Sequence, residues 1–201
     1  LRSLDVLKTV CDKLNIRFFM YGGSLLGTVK YHGFVPWDDD LDIAMLRSDY
    51  EKFIREGPKL LHAEYEIQHP KTNKKTPYNY IKFRRTDTAL VEYRNHRIKM
   101  NHGVYFDIYP IDNLPDDYAA LLQQKLTYDK WVYLFLIRQN FRLDKKVSSW
   151  KDFILLSINI FQSTIAHMLP LNFIMGKIDA ISTRYNRQTT HYQGNLTFPK
   201  P

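Results

Sequence analysis

The feature that most constrains this chain is a burst of carboxylates a short way after a turn of small residues. A β-prone run, Phe18 to Tyr21, ends at Gly22, Gly23 and Ser24, and Asp38, Asp40 and Asp42 follow at intervals of two. In a strand successive side chains alternate between faces. The spacing therefore predicts a strand from about Asp38 to Leu46 with three carboxylates on one face and Leu41 and Ile43 on the other. Like charges sharing a strand face repel, so such a strand is costly unless a cation neutralises it. A divalent metal, Mg²⁺ or Mn²⁺, meets that demand, because hard cations take carboxylate oxygens and also hold substrate phosphates.

The turn adds the other half of a phosphate site. Glycines after a strand permit φ > 0 and let a phosphate approach the backbone closely. Ser24 is expected to open a short helix reaching about Tyr31, with free N-terminal amides, before Gly33 and Pro36 break it. Gly22, Gly23 and Ser24 are thus candidate donor-phosphate contacts. Facing a metal on Asp38, Asp40 and Asp42, they suit the transfer of a phosphorus group.

Around this core the pattern is mixed. Leu4, Leu7, Cys11 and Leu14 stand at helical spacing. Ser48 and Glu51 form a capping-box pattern that predicts a helix ending near Gly57 and Pro58 or one turn beyond. Strands are expected at 64–69, Tyr78 to Arg84, Ala89 to Tyr93 and Val104 to Tyr109, with a solvated loop at 70–77 and a basic loop from Arg94 to His102. After Asp116 the pattern turns helical, with helices expected over 116–140, Ser149 to Leu169 and about Asn172 to Arg187. The apolar stretch 153–175 is interrupted by Ser157, Asn159, Gln162 and His167 and cut by Pro170, so it reads as bundle packing, with docking on a membrane surface or partner as the sharper alternative.

Composition enters through charge. The 201 residues carry a formal net charge of +8, which contrasts with carboxylates concentrated in one short stretch and points to anionic partners. The basic residues are dispersed and no nucleic-acid-binding motif is present. A single cysteine, Cys11, excludes an intrachain disulfide and fits a reducing compartment; it reads as a small buried hydrophobe. A cytoplasmic protein, peripheral at the inner face of the membrane, is the expectation.

The stretch Tyr21 to Ile43, continuing into Arg47 to Phe53, resembles the signature of the LicD family of phosphocholine transferases and fukutin-type relatives, and Tyr105 to Asp112 resembles a second family segment. The resemblance covers the chain to about residue 115 and is pattern-level beyond. It implies an α+β fold: a nucleotidyltransferase, polymerase β-like mixed sheet flanked by helices over residues 1–115, then a helical region over 116–201. It also implies further family sequence beyond Pro201. Two carboxylates on one strand, Asp40 and Asp42, match the metal pair, and Asp107 matches the third, arriving from a neighbouring strand. The implied reaction moves phosphocholine, or a related phospho-alcohol or sugar-phosphate group, from a CDP-linked donor such as CDP-choline. The implied acceptor is a sugar hydroxyl of a surface glycan: teichoic acid precursor, lipopolysaccharide or capsule.

Further residues are weaker candidates. Lys82 and Arg85 can neutralise donor phosphate. Lys30 and His32 lie within the signature, and Lys30 stands where the family usually has Arg. Trp37, Tyr78, Tyr80, Tyr93 and Tyr105 are candidates for an aromatic box around a quaternary ammonium; strand aromatics are more often core. His96 and His102 read as surface. Two other readings stay open: a nucleotidyltransferase that moves the NMP group, and a non-catalytic module for anionic glycans or head groups.

Overall fold

The computed structural model describes residues 2–38, 40–139 and 163–197. The expected helix from Ser149 lies outside them except for its end, where 163–168 are helical. Asp39 and Phe198 to Pro201 also lie outside. The architecture is α+β: an open mixed sheet flanked by helices, with a helical region toward the C-terminus.

The chain opens with α1, Arg2–Leu14, which buries Leu7, Val10 and Cys11. A two-residue strand β1, Phe19–Met20, leads into α2, Gly22–Tyr31. Then come β2, Asp42–Leu46, and α3, Arg47–Glu56, running into a 3₁₀ turn at Gly57–Leu60. Strands β3, Tyr65–Gln68, β4, Ile81–Arg85, and β5, Tyr105–Leu114, complete the main sheet. Beyond it lie α4, Tyr118–Arg138, α5, Leu171–Ser182, and a short β6, Tyr192–Gly194. The spatial order is β1-β2-β5-β4-β3, with β6 pairing the far end of β5. β2 and β5 are parallel, and the other neighbours are antiparallel.

Strand alternation divides the sheet into two chemically distinct faces. Ile43 and Met45 of β2, Ile67 of β3, Ile81 and Phe83 of β4, and Phe106 and Ile108 of β5 join one core with Leu7, Val10 and Cys11 of α1 and Tyr50, Phe53 and Ile54 of α3. The intervening positions, Asp42, Lys82, Arg84, Tyr105, Asp107 and Tyr109, lie on the opposite face. A one-residue slip would drive these charges into the apolar core, so the register is strongly specified. A second apolar cluster joins Leu121, Tyr128 and Phe135 of α4 to Ile174, Met175 and Ile178 of α5, with Leu114 of β5 at its edge. Burial pushes the Cys11 thiol up to about 12, so it behaves as an inert small hydrophobe.

Several expected boundaries are corrected. The carboxylate strand begins at Asp42, where pairing with β5 starts, so Asp38 and Asp40 precede it and do not extend one charged strand face. Like-charge repulsion along such a face opposes its extension. Helix α2 begins at Gly22, not Ser24. Ser48 does not cap α3; Arg47 is already helical, and Glu51 instead pairs with Arg47 and Lys71. Residues 89–93 form no strand, and their exposed Leu90 and Val91 leave Glu92 turned inward. β5 runs on through Pro110, whose carbonyl accepts from Asn195 Nδ2 at 2.9 Å. His102 is half-buried, its Nε2 3.0 Å from Ile98 O, whereas His96 is exposed. β6 had no signal beyond the lone Tyr192-Gln193-Gly194 run.

One polar hub ties α3, β5 and the segment after α5 together. Arg47 donates from Nε to Asp112 Oδ1 at 2.8 Å and from Nη2 to Asp112 Oδ2. Asn186 Nδ2 donates to Asp112 Oδ1 at 2.7 Å, while Lys71 and Asp179 pair at 3.0 Å beside it. Asp112 is buried, so losing its cation leaves a charge out of water. Arg47→Ala is expected to destabilise the fold by about 3–5 kcal/mol in urea unfolding. The Arg47→Ala, Asp112→Ala double variant should lose clearly less than the sum of the two single losses, because the two groups share one interaction.

Candidate active site

The site is assembled where three strands lie side by side. Asp42 stands opposite Asp107 in the parallel β2–β5 register, and Lys82 stands opposite Asp107 in the antiparallel β4–β5 register. Lys82 Nζ lies 2.9 and 3.2 Å from the two oxygens of Asp107, and Tyr109 donates its hydroxyl to Asp107 Oδ2 at 3.2 Å. Lys82 is almost wholly buried. Burial pushes its ammonium down and the Asp107 carboxyl up, and each charge opposes the shift in the other.

Asp42 differs from Asp107 in lacking a cation of its own among the described contacts. Burial pushes its carboxyl up to about 7, and the negative charges of Asp40, Asp107 and Asp38 push the same way, against the smaller pull of Lys82. Burial and neighbouring carboxylates thus outweigh the nearby cation at Asp42. Asp38 is half-buried and Asp40 exposed, both just before β2.

The start of α2 closes onto these carboxylates. Gly22 adopts φ +53°, and a Cβ there would sit 3.1 Å from Asp42 Oδ2; a Cβ on Gly23 would overlap Asp38 Oδ2. The glycines thus bring bare backbone up to the two carboxyl groups. Ser24 Oγ accepts from the Asp42 N–H at 2.8 Å, which ties the first turn of α2 to the first residue of β2. No side-chain hydrogen bond caps α2, and its first residues lie beside the Asp42 and Asp38 carboxyl groups.

The other candidates are distributed unevenly. Tyr105, Tyr78 and Tyr80 gather around the Lys82 ammonium at 3.4, 4.4 and 5.6 Å from ring centroid to Nζ. The aromatic ring cluster expected around a ligand cation therefore surrounds a cation of the chain itself. Trp37 is 78% exposed and meets Tyr31 edge-on, and Tyr93 stacks on His96, so neither joins the cluster. Arg85 pairs with Asp87 at 2.7 and 2.8 Å and, by strand alternation, faces away from Lys82. Lys30 and His32 lie at the far end of α2 from the glycines, about 12 Å along the axis at 1.5 Å per residue.

Sequence reasoning missed Arg84, Glu92 and Tyr109. Arg84 is fully buried, donating to Gln68 Oε1 and Gly103 O at 2.6 Å each. Glu92 accepts from Tyr78 at 2.7 Å, Asn95 at 2.8 Å and Tyr105 at 3.0 Å. Burial raises its carboxyl, but the Tyr78 hydrogen bond and the Lys82 charge outweigh that and hold it below the ordinary range. Tyr109 sits between Tyr80 and Tyr21, at 4.8 and 5.9 Å between centroids. Period-two alternation places Arg84 with Lys82 and Tyr109 with Asp107, so both were findable; Glu92 was hidden by its assignment to a strand.

The family model described as LicD/FKTN/FKRP, nucleotidyltransferase domain, matches residues 15–154. The chain belongs to this family. Over 68 residues it is 34% identical to the lipopolysaccharide cholinephosphotransferase LicD of Haemophilus influenzae, a match covering 34% of this chain and 26% of that protein. An uncharacterised Rickettsia typhi protein is 39% identical over 59 residues, 29% of this chain and 19% of that protein. One from Rickettsia prowazekii is 29% identical over 106 residues, 53% and 36% of the two chains. The matched stretches thus span about a third or less of these curated relatives' length.

A divalent cation suits the donor set in part. Among the described residues no three His, Cys, Asp or Glu side chains form a complete ion cage. Mg²⁺ commonly takes one or two carboxylates and completes its shell with water and substrate phosphates. Asp42 with Asp40 or Asp38 fits that mode, whereas Asp107 already holds Lys82. Relief of the crowding is measurable without any metal. At pH 8 in EDTA, Asp42→Asn should raise the melting temperature. That gain should fade as pH falls from about 7 toward the ordinary carboxylate range, where Asp42 protonates in the native protein and its charge penalty is lost.

Proposed function

We propose that this chain carries the donor-side site of a Mg²⁺-dependent phosphotransferase. It would move phosphocholine, or a related phospho-alcohol or sugar-phosphate group, from a CDP-linked donor to a sugar hydroxyl of a surface glycan. The observation that carries the reading is the placement of Asp42 and Asp107 side by side on parallel strands, with the bare backbone of Gly22 and Gly23 closed over the carboxylates. Membership of the LicD/FKTN/FKRP family and the similarity to a cholinephosphotransferase give that arrangement its chemistry.

On this reading Asp42 and Asp40, with Asp38 adjacent, hold the cation, which supplies charge neutralisation at the donor diphosphate. The first amides of α2 face the donor oxygens. Ser24 positions the site by fixing Asp42 through its backbone N–H. Asp107 accepts the proton of the acceptor hydroxyl. Lys82 keeps the charge of that carboxylate balanced inside a largely buried environment. The hydroxyl oxygen bonds to the phosphorus bearing the alcohol, the bond from that phosphorus to the CMP oxygen breaks, and CMP departs.

Donor and product together test this. Of CDP-choline, CDP-glycerol, CDP-ribitol and CTP, a CDP-linked donor with Mg²⁺ should raise the melting temperature, and CTP should not substitute for it. With acceptor present, CMP should accumulate, and Asp42→Asn should cut its release about 100-fold or more while circular dichroism stays unchanged. Accumulation of free phosphocholine in place of CMP would instead assign NMP transfer, and stabilisation by none of the donors would overturn the proposal.

A further inference from the structure

We propose that Glu92 is a positioning residue: by holding the hydroxyls of Tyr78 and Tyr105, it seats the Lys82 ammonium on Asp107. The loop between β4 and β5 brings Glu92 to the sheet face that carries Lys82, Arg84, Tyr105 and Asp107. Its Oε2 accepts from Tyr78 Oη at 2.7 Å and from Asn95 Nδ2 at 2.8 Å, and its Oε1 accepts from Tyr105 Oη at 3.0 Å. The carboxylate is itself fixed, because the buried Asn95 also donates its backbone N–H to Glu92 O at 3.1 Å. The two anchored rings lie nearer Lys82 Nζ than Tyr80 does, at 3.4 Å for Tyr105 and 4.4 Å for Tyr78 against 5.6 Å. A tyrosine held only through its Cβ can turn about its side-chain torsions, and a hydrogen bond at the far end stops the ring. Lys82 is almost wholly buried, so those rings and Asp107, not water, decide where its ammonium rests.

Charge explains why a carboxylate holds this place. Lys82 and Arg84 are buried cations at alternate positions on one face of β4, where like charges repel. Tyr105 touches both, its ring centroid 3.4 Å from Lys82 Nζ and 4.6 Å from Arg84 Cζ. Asp107 answers Lys82. Arg84 Nη2 is buried, makes no hydrogen bond among the described residues, and has Glu92 Oε2 3.7 Å away. Glu92 thus offsets Arg84 while anchoring the ring that touches both cations, which leaves Lys82 to Asp107. The consequence for turnover rests on the proposed role of Asp107 as acceptor of the hydroxyl proton, since a general base works only within hydrogen-bond reach of that proton. The placing of Lys82 does not depend on that role.

The Tyr78→Phe, Tyr105→Phe double variant tests it, because it keeps both rings and the Glu92 charge and removes only the two tethers. The first readout is nuclear magnetic resonance of protein carrying isotope-labelled lysine, in EDTA and without donor. Ring currents should move the Lys82 Cε protons of the native chain upfield of those of exposed lysines, a signal assigned by its absence from Lys82→Arg. That displacement should collapse in the double variant while circular dichroism stays native. Glu92→Gln, which keeps one acceptor oxygen and loses the charge, should move it part of the way. The second readout is CMP release. The double variant should lose about tenfold or more in kcat with the donor KM unchanged, because the donor is held on the Asp42 side. An unmoved Lys82 signal in the double variant would overturn the proposal at any level of turnover. So would a lower melting temperature with kcat unchanged, which would leave the tethers a structural role only, or a raised KM with kcat unchanged, which would assign them to donor binding. Absence of CMP release by the native chain would count against the functional reading alone, and the Lys82 signal would then decide the positioning by itself.

Discussion

The pairing of β2 with β5 is the constraint on which the rest of the structure depends. It sets Asp42 beside Asp107, continues through Leu46 and Ile111, and delivers both strands into the same apolar core through Ile43, Met45, Phe106 and Ile108. Burial of those side chains stabilises by about 1.5–3 kcal/mol each, which exceeds the repulsion between two partly solvated carboxylates. The fold can therefore hold like charges together. Parallel strands cannot be joined by a tight turn, and here the long excursion between β2 and β5 supplies α3, β3 and β4. The same excursion brings Lys82 to Asp107.

Two kinds of charge management coexist on that sheet face. Around Asp107 the balance is internal, with Lys82 against the carboxylate, three tyrosine rings around the ammonium, and Glu92 tying two of those tyrosines down. Around Asp42, burial and the negative charges of Asp40, Asp107 and Asp38 push that carboxyl up. The Lys82–Asp107 pair and the raised Asp42 carboxyl stand on adjacent strands of one sheet face, the kind of charge perturbation that clusters at functional sites. The hub joins Arg47 at the start of α3 to Asp112 of β5, just past the end of the β2–β5 pairing, so β5 carries the site near its start and the join to the helical region near its end.

Much of this was legible because it rests on local patterns. The helix around Leu7 and Cys11, the close backbone approach at Gly22 and Gly23, and the strand holding Phe83 all follow from periodicity and small residues. The pairing of Asp107 with the earlier carboxylates came from family resemblance, because no local pattern records which distant strand lies next to Asp42. Residues 89–93 misled for a physical reason: Ala89, Leu90 and Val91 have strand-like chemistry, yet no sheet edge receives them, and Glu92 is drawn to Tyr78, Tyr105 and Asn95.

By itself the sequence determined the chemistry available: carboxylates at short spacing and a glycine pair that lets backbone approach them. Spacing and backbone freedom are properties of the chain, so they survive without knowledge of the fold. Only the tertiary structure decided how those groups are shared. It began the strand at Asp42, committed Lys82 to Asp107 and the tyrosines to Lys82, and turned Arg85, Lys30 and His32 elsewhere. Those choices depend on strand order and register, which are fixed by burying one face of the whole sheet and are not encoded in any single segment.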